Sequence, residues 1–122
     1  MTGKLIAFVP TLDLVKARSF YEGILELRSV GEDGFASVFD ANGTMLRVTK
    51  VDRLTPQPFT VLGWEVADIN DSVSRLGQQG IRFEHYGMPG QDDRGIWTSP
   101  SRARIAWFKD PDGNTLSLTQ FS

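Results

Sequence analysis

The stretch ASVFDANGTMLRVTK, residues 36–50, returns later in the chain as AWFKDPDGNTLSLTQ, residues 106–120. Ala, Asp, Gly, Leu and Thr coincide at five positions, and each copy reads as strand, Asx-Gly turn, strand. The segments before them match as well: IAFVPTLDLVKARSFYEG (6–23) and VLGWEVADINDSVSRLGQ (61–78) each run from an apolar strand, through an Asp, into a helical pattern. The offset is 55 for the strand–helix pair and 70 for the hairpin pair, so the second copy holds about 15 extra residues, between Glu84 and Arg104. A chain that repeats its own order of elements is built from like modules. The expectation is an α+β protein of two βαβββ modules, about 1–53 and 59–122, within one domain.

Both helices have a start signal. Leu14, Ala17, Phe20, Tyr21 and Ile24 follow Asp13 near 3.6-residue spacing, and Ile69, Val73 and Leu76 follow Asp68, with Gly80 as the stop. Asp13 and Asp68 are read as N-caps, which accounts for both without chemistry. Alternation in the strands separates a face under the helix, holding Trp64, Leu46 and Leu116, from a face turned elsewhere. Three-residue hairpin loops, with Gly43 and Gly113 in the left-handed position, put Ser37 opposite Arg47 and Trp107 opposite Ser117 on the second face.

Composition removes several classes of function. A formal net charge of −2, with Lys and Arg scattered, argues against nucleic acid and against a polybasic membrane anchor. The 122 residues include no cysteine, which excludes thiolate metal sites and Cys nucleophiles. No apolar run is long enough for a bilayer span or a signal peptide, and the expected location is the cytoplasm.

With "IAFVPTLDLVKARSFYEGILEL" in the first half and "WEVADINDSVSRLGQQGIRF" and "AWFKDPDGNTLSL" in the second, the chain resembles the vicinal oxygen chelate superfamily, which includes glyoxalase, bleomycin-resistance proteins and extradiol dioxygenases. The resemblance covers nearly the whole chain, and DPDGN is its most specific part. It implies curved mixed sheets around a cup, and a homodimer. Metal-dependent members take His or Gln from the first strand of each module and Glu from the last. Those four places here are Ile6, Arg47, Val61 and Ser117. None matches: Ile and Val have no donor, Arg stays cationic, and one Ser hydroxyl is a poor ligand. No metal and no other cofactor is expected. A three-ligand site from Glu65, Glu84 and His85 is the remaining alternative, and adjacent Glu84 and His85 point to opposite faces of a regular strand.

The side chains expected to face the cup include Ile6, Phe8, Phe35, Ser37, Phe39, Arg47, Val61, Gly63, Glu65, Ile105, Trp107 and Ser117. Apolar and aromatic surface with few polar groups suits a small organic ligand. Phe8, Phe39, Arg47, Glu65, Trp97, Trp107 and Ser117 are the candidate ligand-binding residues, with Arg47 either holding an anionic group or pairing with Glu65. Glu65 and His85 are the candidate proton carriers if the chain is an enzyme. The segment EHYGMPGQDDRGIWTSPSRA (84–103) is either a lid bearing His85, Tyr86 and Trp97 or a surface loop. The preferred function is metal-independent binding of an aromatic or amphipathic, anionic or neutral ligand. An enzyme of the same fold, and a structural module with a filled cup, are the alternatives.

Overall fold

The computed structural model describes residues 1–122 as two compact units, Met1–Pro56 and Gln57–Ser122. Unit 1 runs β1 (Ile6–Thr11), α1 (Leu14–Arg18), β2 (Arg28–Glu32), β3 (Ala36–Ala41) and β4 (Thr44–Lys50), in a sheet ordered β1-β4-β3-β2. Unit 2 runs β5 (Thr60–Glu65), α2 (Ile69–Gln78), β6 (Trp97–Thr98), β7 (Arg104–Lys109) and β8 (Thr115–Gln120), in a sheet ordered β5-β8-β7-β6. Each sheet is mixed: its first and last strands pair parallel and the rest antiparallel. The architecture is α+β, built from two βαβββ modules with four strands in each sheet. No helix is long and apolar enough to cross a membrane.

Both helices start where an Asp can satisfy free amides. The Asp13 carboxylate accepts from Val15 and Lys16 N–H at 3.0 and 3.1 Å, and that of Asp68 from Asp71 N–H at 3.1 Å. α2 has a second support from far along the chain, because Ile69 N–H donates to Gln120 Oε1 at 2.9 Å. Gly80, at φ +91°, follows its end. After Arg18 the first helix widens into a π turn, Ser19–Ile24, with Leu25 N–H bonded to Phe20 O at 3.0 Å. The wider turn lets the consecutive Phe20 and Tyr21 both be buried, edge to face at 5.1 Å.

The two hairpins differ. In unit 2 Trp107 pairs with Ser117 and Asp110 N–H donates to Asn114 O, leaving a three-residue loop of Pro111, Asp112 and Gly113. The Asp110 carboxylate accepts from the amides of Asp112 and Asn114 and from Asn114 Nδ2, each at 2.9 Å. In unit 1 Ala41 pairs with Thr44, so the loop is only Asn42-Gly43, both left-handed at φ 53° and 99°. This corrects the three-residue loop expected there. The cause is one residue: a two-residue loop is flanked by a pair that exchanges backbone hydrogen bonds. Ala41 has the N–H this requires; Pro111, its counterpart, has none.

The shift of one residue turns β3 over. Val38, not Ser37, stands opposite Arg47, and Phe39 stands opposite Leu46. Ser37 and Phe39 are therefore withdrawn from the face opposite the helix. Phe39 is fully buried with Tyr21 at 6.0 Å, among Val9, Leu46 and Val48 in the core of unit 1. The core of unit 2 holds Ile69, Val73, Phe108, Leu116 and Leu118. Trp64 shares a face with Leu118 and Leu62 with Leu116, as expected from alternation.

Candidate binding site

The helix-free face of sheet 2 carries the densest group of the expected residues. Gly63, Ser117 and Trp107 pair in register across β5, β8 and β7, followed by Glu65, Thr119 and Ile105. Trp97, opposite Ile105, joins from β6. Trp107 lies between two rings: Tyr86 at 5.5 Å, edge-on, and Trp97 at 6.0 Å, tilted. Trp107 and Trp97 are half-buried and Tyr86 is exposed, so the group presents aromatic surface to solvent. Partial desolvation beside Trp107 first, and then the charge of Glu84, raises the Tyr86 phenol above its ordinary pKa.

The 84–103 segment supplies both flanking rings and is ordered by its own side chains. Gln91 Nε2 donates to Glu84 O and Gly95 O at 2.9 and 3.0 Å, while its Oε1 accepts from Tyr86 N–H at 2.7 Å. Trp97 Nε1 donates to Pro89 O at 3.0 Å, and Asp92 accepts from the amides of Arg94 and Ile96 at 2.9 Å. Glu84 N–H donates to Trp107 O at 2.8 Å, which ties the start of the segment to β7. Tyr86 and Trp97 stand out in the sequence by residue type; Gln91 does not, because its three bonds depend on the path of the loop.

His85 is exposed on an irregular stretch, while Glu65 ends β5 on the face it shares with Ser117. Glu65, Glu84 and His85 do not form a ligand set: nowhere do three or more His, Asp or Glu side chains converge. The four superfamily metal positions fit an ion no better. Ile6 and Val61 offer no donor, and Ser117 offers one neutral oxygen packed toward Gly63. Arg47 donates to Asp33 Oδ2 at 3.1 Å. Asp33, and not Glu65, is its partner.

On the helix-free face of sheet 1, Phe8, Arg47 and Val38 pair in one row and Ile6, Met45, Asp40 and Arg28 in the next. Arg28 donates to Asp40 Oδ2 at 3.1 Å, while Asp40 Oδ1 takes the Gly43 amide at 2.8 Å. A groove of about 580 Å³ opens at this end, between Lys4, Ile6, Val30 and Met45. Asp33 is held below the ordinary carboxylate pKa mainly by the amides of Phe35 and Ala36, then by Arg47. Asp40 is lowered by the Gly43 amide, then by Arg28.

Solved structures share this arrangement of elements over almost the whole chain. A FosX fosfomycin resistance protein from Listeria monocytogenes matches with TM-score 0.78 at 14% identity, covering 100% of this chain and 95% of that one. A glyoxalase/bleomycin resistance protein/dioxygenase superfamily member from Sphaerobacter thermophilus matches with TM-score 0.77 at 22% identity, covering 98% of each chain. This chain has the vicinal oxygen chelate fold. A lactoylglutathione lyase from Agrobacterium tumefaciens, with TM-score 0.76 at 18% identity over 98% of this chain and 94% of that one, has the same fold. No family model and no curated protein matches the sequence.

Proposed function

We propose that this vicinal oxygen chelate protein binds a flat aromatic or amphipathic small molecule without a metal ion, and that the ligand lies on the aromatic face of unit 2. The observation that carries the reading is the position of Trp107, between Tyr86 and Trp97 and still partly exposed. A ligand ring stacked there would bury more aromatic surface, with the Thr119 hydroxyl and the Glu65 carboxylate as the few accessible polar groups that set orientation, the Ser117 hydroxyl being buried against Gly63. On unit 1, an anionic group at Arg47 would compete with the Asp33 carboxylate already bonded there.

The same reading makes the chain a cytoplasmic homodimer. Ile6, Phe8 and Met45 stand 44, 61 and 41% exposed on one sheet face of unit 1, apolar surface that a second copy of the chain would cover. An enzyme of the same fold is the second reading. Glu65 favours it, because its carboxylate shares a face with Ser117, and Glu65 rather than His85 would carry the proton.

A thermal-shift screen of aromatic compounds, run with and without EDTA and followed by native mass spectrometry, tests the proposal. Stoichiometric complexes indifferent to EDTA, with no ligand turnover, are expected. Hits that vanish with EDTA, or that are converted to product, contradict it.

A further inference from the structure

We propose that Arg94 and Arg104, with Ser74, form an oxyanion site on the helix side of unit 2, suited to phosphate or a phosphomonoester. Two guanidiniums meet there at one neutral oxygen. Arg94 NH1 donates to Asn70 Oδ1 at 3.2 Å, and Arg104 NH2 donates to the same atom at 3.1 Å. Arg94 NH2 also donates to Asn70 O at 3.1 Å and to Ser74 Oγ at 2.7 Å.

Like Arg53, Arg82 and Arg102, these two arginines form no ion pair, but they converge on a single acceptor. Arg18, Arg28, Arg47 and Arg75 each have a carboxylate partner. Arg94 and Arg104 have none within 4.0 Å, although Asp92 is close in sequence; the carboxylate of Asp92 is turned to the amides of Arg94 and Ile96 instead. Asp71 is engaged by Arg75 at 2.9 Å, and Asp68 caps α2. Two cations held around a neutral amide repel each other, and neither has a carboxylate within 4.0 Å to offset that repulsion.

A dianion matches the two charges. Each guanidinium carries about five N–H donors in a planar fork, and the bonds above leave the smaller part of them unused on Arg94 and most of them unused on Arg104. Paired N–H donors suit the oxygens of a phosphoryl group. This site is separate from the aromatic face: Arg104 pairs with Gln120 and Thr98, which alternate with the residues beside Trp107 and Trp97.

Occupancy would also brace the 84–103 segment, because Arg94 is its tie to α2. Inorganic phosphate and glycerol 3-phosphate, titrated against chloride at equal ionic strength with backbone amide NMR, test the site. Both phosphates are expected to shift the amides of Asn70, Ser74 and Gly95 saturably. An Arg94→Gln/Arg104→Gln variant is expected to bind at least tenfold more weakly. A tighter Kd for glycerol 3-phosphate marks an organic phosphomonoester as the ligand; equal values mark free phosphate. Asn70→Asp, which supplies the counter-charge internally, is expected to abolish phosphate binding and to raise Tm more in the parent than in the double Gln background. Shifts no larger than those from chloride, or binding unchanged in the double variant or in Asn70→Asp, overturn the proposal.

Discussion

Gly63 stands opposite Ser117 in the β5–β8 ladder, and a β-carbon added to Gly63 would lie 2.9 Å from the Ser117 hydroxyl oxygen. Nothing about the backbone of Gly63 demands glycine; the neighbour does. Gly63→Ala is expected to destabilise the protein by about 1–2 kcal/mol through this overlap. Removing the hydroxyl in Gly63→Ala/Ser117→Ala is expected to recover most of the loss. Urea unfolding of the parent, both single variants and the pair measures the coupling, and additive effects would show that the contact is relieved some other way.

Asp33 and Asp40 make the fold of unit 1 sensitive to acid. Both carboxyls are lowered from 3.8, so the ionised forms are the ones the fold favours. Their contribution is complete above the unfolded value and is lost as pH falls through the folded one. Between about pH 5 and about pH 2 the Asp33→Asn/Asp40→Asn variant is expected to lose less stability than the parent. Parallel curves for the two proteins would contradict this.

Tyr86 gives the opposite signature. Partial desolvation, and then Glu84, raises the phenol pKa above 10.0, so the neutral ring is favoured. The associated stability is present below the unfolded value and is lost as pH rises toward the folded one. Absorbance titration is expected to show one tyrosine ionising above the ordinary value and moving down in Glu84→Gln. No response to Glu84→Gln would remove that charge as a cause.

The Asn42-Gly43 loop predicts a local cost. Gly43 sits at φ +99°, where a β-carbon is strained. Gly43→Ala is expected to cost about 1 kcal/mol or more, and Asn42→Gly much less. Thermal unfolding of the two variants checks the order.

The module order and the caps at Asp13 and Asp68 were legible because each is a local signal: period, Asx before a helix, Gly after it. The register of the second hairpin was legible too, but that of the first was not. DANGT and DPDGN look equivalent until Ala41 and Pro111 are compared for the backbone N–H that a two-residue loop needs, and that difference moved Phe39 into the core. The pairing of Arg47 with Asp33 was hidden because Asp33 enters from the β2–β3 turn, whose path depends on the bulge between Ser29 and Gly31. The Trp107 group was legible only in part. Trp97 and Trp107 stood out by type, whereas the cross-brace at Gln91 depends on a fold-back with no period to read.

Binding at Trp107 can be tested directly by isothermal titration of one aromatic compound from the screen into EDTA-treated protein, parent and Trp107→Ala. A single site per chain is expected, with the same Kd before and after EDTA and at least tenfold weaker binding in Trp107→Ala. Binding that returns only when a divalent metal is restored, or that is unaffected by Trp107→Ala, would contradict a metal-independent aromatic site on unit 2.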